Sequence, residues 1–263
     1  MKRMIYQVCV GKPSKLYEAC IESAEKYCAK YGFDHIVQTK PILRIKPDPF
    51  FTNRSQESYM KYGGYLPIYE KENAFDYLDD YDQIAIIDAD IYIKEGSPNI
   101  FDELGGHTFG AVCEREMPIN STYLSKIENY SKMQYSMLKD VDWKWHHHGS
   151  AGAEFFNMGL MVFSSDLREY LRGQTAREFL DRIEFKRFID GMGAWKWSTD
   201  QTLLNWWVKK ENIDVKHLDW KFNALFAALH DGKEKEAHFV HFFLKDKLPF
   251  RGEDTESLLE MIL

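Results

Sequence analysis

Apolar and polar residues recur along the chain in blocks that predict strands and helices in alternation. The run MIYQVCV, residues 4–10, predicts a first strand that ends at Gly11. The following segment repeats apolar residues at helical spacing between Ser14, a favourable N-cap, and Gly32, a favourable C-cap. FDHIVQ, residues 33–38, predicts a second strand. A strand, a helix and a strand at this spacing form a βαβ unit, so we expect a parallel sheet.

The rest of the chain continues this pattern without an internal repeat or a low-complexity linker. Residues 41–58, with three Pro, predict a loop, and residues 58–78 favour helix on both sides of a Gly-Gly pair. Further strands are expected at QIAIIDADIYI (83–93), TFGAVCE (108–114), FFNMGLMVFSS (155–165) and AHFVHFF (237–243, strand or turn). Further helices are expected within 166–190, 198–210 and 255–263.

The simplest architecture is a single α/β, Rossmann-like domain with an open, mainly parallel sheet flanked by helices. We assign this domain to residues 1–250 and expect residues 251–263 to form a C-terminal helix that packs on it. That helix is apolar enough to touch a membrane surface, but packing against the domain is favoured. In an open α/β sheet, the ligand crevice lies at the carboxyl ends of the strands.

Composition narrows the function classes. The chain of 263 residues is 44% hydrophobic and 29% charged, as in folded soluble proteins. A net charge of -7 argues against a nucleic-acid partner but allows a local basic pocket. Four scattered Cys without a CxxC predict a reduced, cytoplasmic protein. No apolar run approaches the length of a membrane span, and the apolar N-terminal run is too short for a signal sequence.

Two carboxylates interrupt the most apolar strand. Asp88 and Asp90 follow the run Ile84–Ile87, separated by Ala89. Side chains at positions i and i+2 of an extended segment point to the same side, so the two acids can converge. Buried carboxylates need a partner, and oxygen ligands suit Mg²⁺ or Mn²⁺. The alternative is a solvent-facing turn with two ordinary acids.

Two later segments carry polar residues beside apolar runs. In FFNMGLMVFSS, Asn157 can bind hydroxyl groups and Gly159 allows the backbone to approach a ligand closely, although a plain turn into a strand explains both. In STDQTLLN, Asp200 and Gln201 open a helix, with Ser198 or Thr199 near its cap. Their functional interpretation is that they face the crevice and bind sugar hydroxyls.

The segment HFVHFFLKDKLPF offers a further metal ligand and a cation. Either His238 or His241 could complete a site with the two acids, because Mn²⁺ accepts imidazole more readily than Mg²⁺ does. A satisfied core histidine is the alternative for each. Lys247 follows His241 by six positions and could reach a phosphate oxygen.

Together, IAIIDAD, FNMGLMVF, DQTLLN and HFFLKDK, in this order over roughly residues 4–250, resemble the glycosyltransferases of the GT-A fold, family 8. This family includes glycogenin and the lipopolysaccharide galactosyltransferases. The resemblance implies a GT-A-like fold and a metal-dependent hexosyltransferase that takes its sugar from a nucleotide-diphosphate sugar, a UDP-sugar in particular. It also implies a glycan or other hydroxyl acceptor, with retention favoured.

The resemblance implies a role for each matched residue. Asp88, Asp90 and His241 would bind Mn²⁺ or Mg²⁺, with Asp88 also near the ribose, and Lys247 would contact the diphosphate. Asn157, Asp200 and Gln201 would line the donor-sugar and acceptor site. The remaining donor contacts would come from Lys61, Gly159 and the end of the first strand at Cys9–Gly11.

The chain departs from the family pattern at several points. Leu244 stands where the family has Gly three residues after the His, and KLPF replaces Lys-Pro-Trp, so the phosphate loop can differ in shape. His146, His147 and His148 match nothing in the pattern, and a solvated loop is favoured over a metal or acceptor site.

Two other functions share parts of this pattern. A sugar-nucleotide pyrophosphorylase also uses paired Asp, but GKPSKLYEAC lacks the Gly-rich, Arg-containing phosphate loop of that class. A non-catalytic module that binds a sugar nucleotide or a glycan on the same fold is the other alternative.

Overall fold

The computed structural model describes residues 1–52, 63–146 and 152–263. The strands are β1 (Arg3–Val8), β2 (Asp34–Gln38), β3 (Gln83–Ile87), β4 (Ile91–Ile93), β5 (Phe109–Cys113), β6 (Phe156–Ser164), β7 (Val215–His217), β8 (Ala224–Leu225) and β9 (Phe239–His241). The α-helices are α1 (Lys15–Tyr31), α2 (Ile100–Leu104), α3 (Ser121–Tyr135), α4 (Arg168–Leu171), α5 (Ala176–Leu180), α6 (Lys186–Ile189), α7 (Asp200–Lys210) and α8 (Thr255–Ile262).

A six-stranded sheet in the order β2-β1-β3-β6-β5-β7 forms the centre of the fold. Every neighbouring pair is parallel except those of β6, which runs antiparallel to both β3 and β5. The expected mainly parallel α/β sheet is therefore confirmed. All residues of β3 and β5 are buried, as expected for strands that are covered on both faces.

A smaller sheet, in the order β4-β9-β8, adjoins the central one. The apolar run Ile84–Ile87 lies in β3, and the acids follow it as expected. The strand does not extend over all of residues 83–93, because Asp88–Asp90 leaves β3 and enters β4 of this second sheet. Asp88 N donates to Gly159 O at 2.8 Å and Phe242 N donates to Asp90 O at 2.9 Å, so each sheet holds one of the acids. The pair lies where the two sheets meet, at the carboxyl end of β3.

Several helix ends and one buried helix face agree with what the local sequence predicts. The caps of α1 are as expected: Ser14 accepts from Tyr17 N, and Gly32 has a left-handed φ of 71°. Thr199, rather than Ser198, caps α7. In the C-terminal helix α8, Leu258 and Ile262 are buried in a cluster with residues of α1. Among the described residues, no helix has the length and apolar character needed to cross a membrane.

Two long helices expected from periodicity are not formed. Within 63–78, the described part of the first, the chain makes 3-10 turns at Pro67–Tyr69 and Lys71–Tyr77. The second, 166–190, is divided into α4, α5 and α6, and α4 ends at Arg172 with a φ of 56°. In the Lys71–Tyr77 turn even Lys71, Glu72 and Asn73 are buried, so tertiary contacts decide its conformation rather than amphipathic helix packing.

A buried carboxylate holds this turn against the sheet. Glu70 is fully buried and accepts from Gln38 Nε2 at 2.8 Å and from the backbone N–H groups of Ile42, Leu43 and Arg44 at 2.6 to 3.0 Å. The carboxylate of Glu70 thus accepts four hydrogen bonds, three of them from backbone N–H groups of the loop that follows β2. Glu70 immediately precedes the Lys71–Tyr77 turn, so these hydrogen bonds to its carboxylate fix the position of the turn.

We expect Glu70→Gln to lower the free energy of unfolding by roughly 2–4 kcal/mol, because an amide nitrogen cannot accept from these N–H groups and one of them is left unpaired. Urea denaturation measures the loss. Glu25→Gln, at an exposed position of α1, is the control and should change stability by less than about 0.5 kcal/mol. Equal stability of the two variants would contradict the network.

Candidate active site

Two carboxylates and an imidazole converge at the junction of the two sheets. Asp88 and Asp90 follow β3, and His241 ends β9, which pairs with β4 so that Ile91 lies opposite His241. His241 Nε2 lies 3.2 Å from Asp90 Oδ1 and 3.9 Å from Asp88 Oδ2. One ligand atom from each of the three lies within 4.8 Å of the others. Asp88 retains 32% of its side-chain exposure, so the cluster reaches solvent through this carboxylate.

The imidazole is held with one nitrogen facing the acids. His241 Nδ1 lies 3.0 Å from Asn223 Oδ1, and Asn223 Nδ2 donates to Asn157 Oδ1 at 2.9 Å. Because the amide oxygen of Asn223 accepts, Nδ1 carries a proton and Nε2 is left to face the acids. Gly159 makes room for the ring: a Cβ there would lie 2.3 Å from His241 Cε1. Two carboxylates and a neutral imidazole are a suitable ligand set for Mn²⁺ or a similar divalent cation.

The charges of this cluster balance through close pairs. Burial disfavours both the charged imidazole and the charged carboxylate, but their mutual attraction prevails, so the pKa of His241 is raised and that of Asp90 is lowered. Burial raises the pKa of Asp88, against the opposing effect of Lys71. This attraction favours the charged forms of His241 and Asp90, whereas a cation at the same point would favour the charged form of Asp88 and the neutral imidazole.

Lys71 is a functional candidate that the sequence analysis missed. Its ammonium lies 3.0 Å from Asp88 Oδ1 and 2.9 Å from Asp200 Oδ2, and it donates to Met158 O at 2.7 Å. Burial opposes its charge, but Asp200 and Asp88 hold the pKa of Lys71 above its ordinary value. Lys71 lies in a stretch read as ordinary helix, where one Lys among several charged residues gives no local signal.

Asp200 and Gln201 lie beside this cluster, at the start of α7. The Asp200 side chain is only 3% exposed and pairs with Lys71, and burial raises its pKa. Gln201 Oε1 accepts from Met158 N at 3.4 Å. The neighbouring Glu72 is fully buried with neither carboxylate oxygen hydrogen-bonded, and burial together with Asp200 raises its pKa well above the usual range.

Glu114, which the sequence analysis also missed, joins the expected sugar-site residues. It follows β5, and its Oε1 accepts from Asn157 Nδ2 at 2.7 Å and from Gln201 Nε2 at 3.3 Å. Asn157 Oδ1 accepts from Gly159 N at 3.0 Å, so the Asn157 side chain is used within the protein. Burial raises the pKa of Glu114. Its position directly after an apolar strand, like that of Asp88, was the signal in the sequence.

The donor contacts expected of Lys247 and Gly11 stay predictions. Lys247 is exposed in the 3-10 turn Lys245–Lys247. Gly11 has a φ of 97° and no neighbour for a Cβ within 4 Å, so it serves a turn. The imidazole of His238 packs on Phe222 with ring centroids 5.1 Å apart, so of the two alternative histidines it is His241 that meets the acids.

Several expectations concern residues outside the described ones. Lys61 lies in the undescribed range 53–62, and His147 and His148 lie in 147–151. His146 is described and exposed, and its backbone N–H donates to Gly152 O at 3.2 Å.

Comparisons with known proteins bear on the family and the fold of this chain. The model of glycosyl transferase family 8 matches residues 17–247. An active-site mutant of LgtC superposes with a TM-score of 0.51 at 14% identity, covering 98% of this chain and 94% of its own. Mouse xyloside xylosyltransferase 1, also 14% identical, has a TM-score of 0.49 and covers 94% of this chain and 99% of its own. No curated protein sequence matches the chain.

A third solved structure of similar extent is a glycosyltransferase involved in glycosylation of the major capsid of PBCV-1. It covers 99% of this chain and 100% of its own, with 14% identity and a TM-score of 0.47. At 14% identity the superposition with LgtC bears on the fold alone, and it supports a GT-A-like arrangement of the sheet.

We expect Gly159→Ala to displace His241 and to weaken binding of Mn²⁺ at least tenfold, because the new Cβ would also lie 2.7 Å from His241 Nδ1 and 2.9 Å from Asn157 Oδ1. Calorimetric titration with Mn²⁺ measures the affinity. Gly106→Ala is the control, since a Cβ there has no neighbour within 4 Å. Unchanged Mn²⁺ affinity in Gly159→Ala would remove His241 from the site.

We expect Lys71→Met to lower the free energy of unfolding by roughly 3–5 kcal/mol at neutral pH, because it leaves two buried carboxylates without a counter-charge. Adding Asp200→Asn should restore part of that loss, since one of the two charges is then removed. Urea denaturation of the single and double variants measures the difference. An additive result would mean that the two side chains do not interact.

Proposed function

The chain belongs to glycosyl transferase family 8 and is a glycosyltransferase, and from this premise we propose that it transfers a hexose-type sugar from a nucleotide-diphosphate sugar to an acceptor hydroxyl with the help of a divalent cation. The donor is a UDP-sugar and the acceptor a glycan or another hydroxyl compound. The convergence of Asp88, Asp90 and His241 at the junction of the two sheets, with Asp88 partly exposed, carries the proposal.

The metal site follows from the ligand set. Asp88, Asp90 and His241 hold Mn²⁺, or Mg²⁺ in its place, with Asn223 orienting the imidazole and Gly159 leaving it space. When bound, the cation neutralises the diphosphate and stabilises the charge that develops on it as the leaving group. Lys247, on its exposed turn beyond β9, supplies a further positive charge to the diphosphate.

Lys71 keeps the floor of the site charged and rigid. It pairs with Oδ1 of Asp88, whose Oδ2 is the oxygen nearer His241, and with Asp200 at the start of α7. One cation thereby fixes the orientation of a metal-binding carboxylate and of a sugar-site carboxylate at once. The side-chain amides of Asn157 and Gln201 both donate to Glu114. They line another side of the site, where Gln201 faces the transferred sugar.

We favour retention at the anomeric carbon because the resemblance to the family suggests it, and the state of Asp200 bears on how a retaining transfer would proceed. A carboxylate that acts as a nucleophile needs an open oxygen, whereas the Asp200 side chain is 3% exposed and ion-paired with Lys71. We therefore assign Asp200 a positioning role and favour attack by the acceptor on the face that the diphosphate leaves.

All four cysteines are buried free thiols, which supports the cytoplasm as the proposed location.

The proposal is tested by thermal unfolding with a panel of nucleotide sugars, with and without Mn²⁺, followed by assays of nucleotide release. A donor at one hundred times its dissociation constant stabilises the fold by about 2.7 kcal/mol, so the right donor should raise the Tm, and only with the metal present. Proton NMR of the first-formed product should show the anomeric configuration of the donor.

Asp90→Asn should abolish the Mn²⁺-dependent rise in Tm and the release of nucleotide, since the amide is a weaker ligand for the cation. The exposed Asp231→Asn preserves the same change in net charge and should keep both. If Asp90→Asn retains metal-dependent donor binding, the assigned metal site is wrong. An inverted product would overturn the retaining mechanism while leaving sugar transfer in place.

A further inference from the structure

A second group of metal-binding side chains lies away from the crevice cluster, at the far edge of the central sheet. Cys113 ends β5, Glu116 closes the 3-10 turn that follows it, and His217 ends β7, the parallel neighbour of β5. A thiol sulphur, a carboxylate oxygen and an imidazole nitrogen from these three lie within 4.8 Å of one another. We propose that Cys113, Glu116 and His217 bind a zinc ion.

The orientation of His217 suits metal binding. Its Nδ1 lies 2.9 and 3.1 Å from the two carboxylate oxygens of Glu116. Its Nε2 lies 3.9 Å from Glu154 Oε1, on the other side of the ring. Metal-bound histidines commonly direct their second nitrogen at a carboxylate, which fixes the ring and makes the ligand more basic. Nδ1 is then the nitrogen that faces the cation, together with Cys113 and Glu116.

Glu154 acts as the orienting carboxylate rather than as a ligand. Lys209 lies 2.8 Å from Glu154 Oε2 and Lys144 lies 3.4 Å from it, while Arg115 lies 3.5 Å from Oε1. Glu154 therefore already has positively charged partners within the protein. The ligand set is then one thiolate, one carboxylate and one neutral imidazole, whose two negative charges match a divalent cation and which leaves the fourth tetrahedral position to water.

The sulphur ligand selects zinc over the cation of the crevice. Burial raises the pKa of the Cys113 thiol to about 12, so a bound cation has to displace the thiol proton. Zn²⁺ has a high affinity for thiolate and imidazole, whereas Mn²⁺ and Mg²⁺ prefer oxygen. The two clusters of this chain therefore have different preferences, one for a metal with oxygen ligands and the other for zinc.

A zinc ion here would hold the turn that carries Glu114. Cys113 lies immediately before Glu114, and Glu116 lies at the end of the same turn. Glu114 in turn accepts from Asn157 and Gln201. A cation bound to both ends of the turn and to β7 would restrict the position of Glu114 without contacting the crevice. The role we assign to it is structural.

Cobalt is the probe that separates the two sites, because Co²⁺ bound to a thiolate gives a near-ultraviolet charge-transfer band and Co²⁺ bound to the crevice ligands does not. We expect the full chain carrying Asp90→Asn to develop this band up to one equivalent of Co²⁺, and Zn²⁺ to remove it. Cys113→Ser should abolish the band, and His217→Gln should weaken Co²⁺ binding about tenfold or more.

His107→Gln is the matched control. His107 Nδ1 lies 2.9 Å from Asp214 Oδ2, so it makes a similar exposed pair of imidazole and carboxylate. Among the described residues, this pair is not joined by a third metal-binding side chain. This variant should keep the band and the Co²⁺ affinity. Zn²⁺ should also raise the Tm of the Asp90→Asn protein, but not that of the protein that carries His217→Gln in addition. This measurement tests the site even if the Cys113→Ser variant does not fold.

Absence of a charge-transfer band at stoichiometric Co²⁺ would overturn the proposal. So would a band that persists in Cys113→Ser, since it would then belong to Cys9, Cys20 or Cys28, or a loss of affinity in His107→Gln equal to that in His217→Gln. None of these measurements uses a donor sugar, so they stand or fall separately from the assigned glycosyl transfer.

Discussion

The site depends on one buried cation, the ammonium of Lys71. Taking a lysine out of water costs several kcal/mol and is tolerated only where opposite charges and hydrogen bonds replace the solvent. Asp88, Asp200 and the carbonyl of Met158 provide this replacement within 3.0 Å. The three partners come from the end of β3, the start of α7 and strand β6, so one charge joins three segments that are distant in the sequence.

The position of Lys71 is itself a consequence of buried polar contacts. The carboxylate of Glu70 collects four donors from β2 and the loop beyond it, and Asn73 Nδ2 donates to Tyr6 OH at 2.9 Å. These contacts tie the 3-10 turn to β1 and β2 on one side while Lys71 ties it to the crevice on the other.

Strand β5 connects the crevice to the opposite edge of the sheet. Glu114 faces Asn157 and Gln201, whereas its neighbours Cys113 and Glu116 face His217 on β7. The proposed zinc ion and the proposed Mn²⁺ would therefore act on the same wall of the site from two sides. The thiol distinguishes the second ligand set from the first and gives the two sites different metal preferences.

Much of the fold could be predicted from local sequence. Apolar runs marked β1, β3, β5 and β6, and Ser14 and Gly32 marked the ends of α1, because hydrophobic periodicity and capping depend only on neighbouring residues. The same holds for the acids of Asp88–Asp90, since a charge in an apolar run demands a partner. The order of four motifs was enough to indicate the family.

Only the tertiary structure decided which side chains meet. It selected His241 over His238, directed β6 against its neighbours, and brought Lys71 and Glu114 to residues far from them in the chain. These choices follow from the order and direction of strands in two sheets, which is set by contacts between distant segments. The sequence alone therefore determined which residues could carry chemistry, and packing determined which of them share a site.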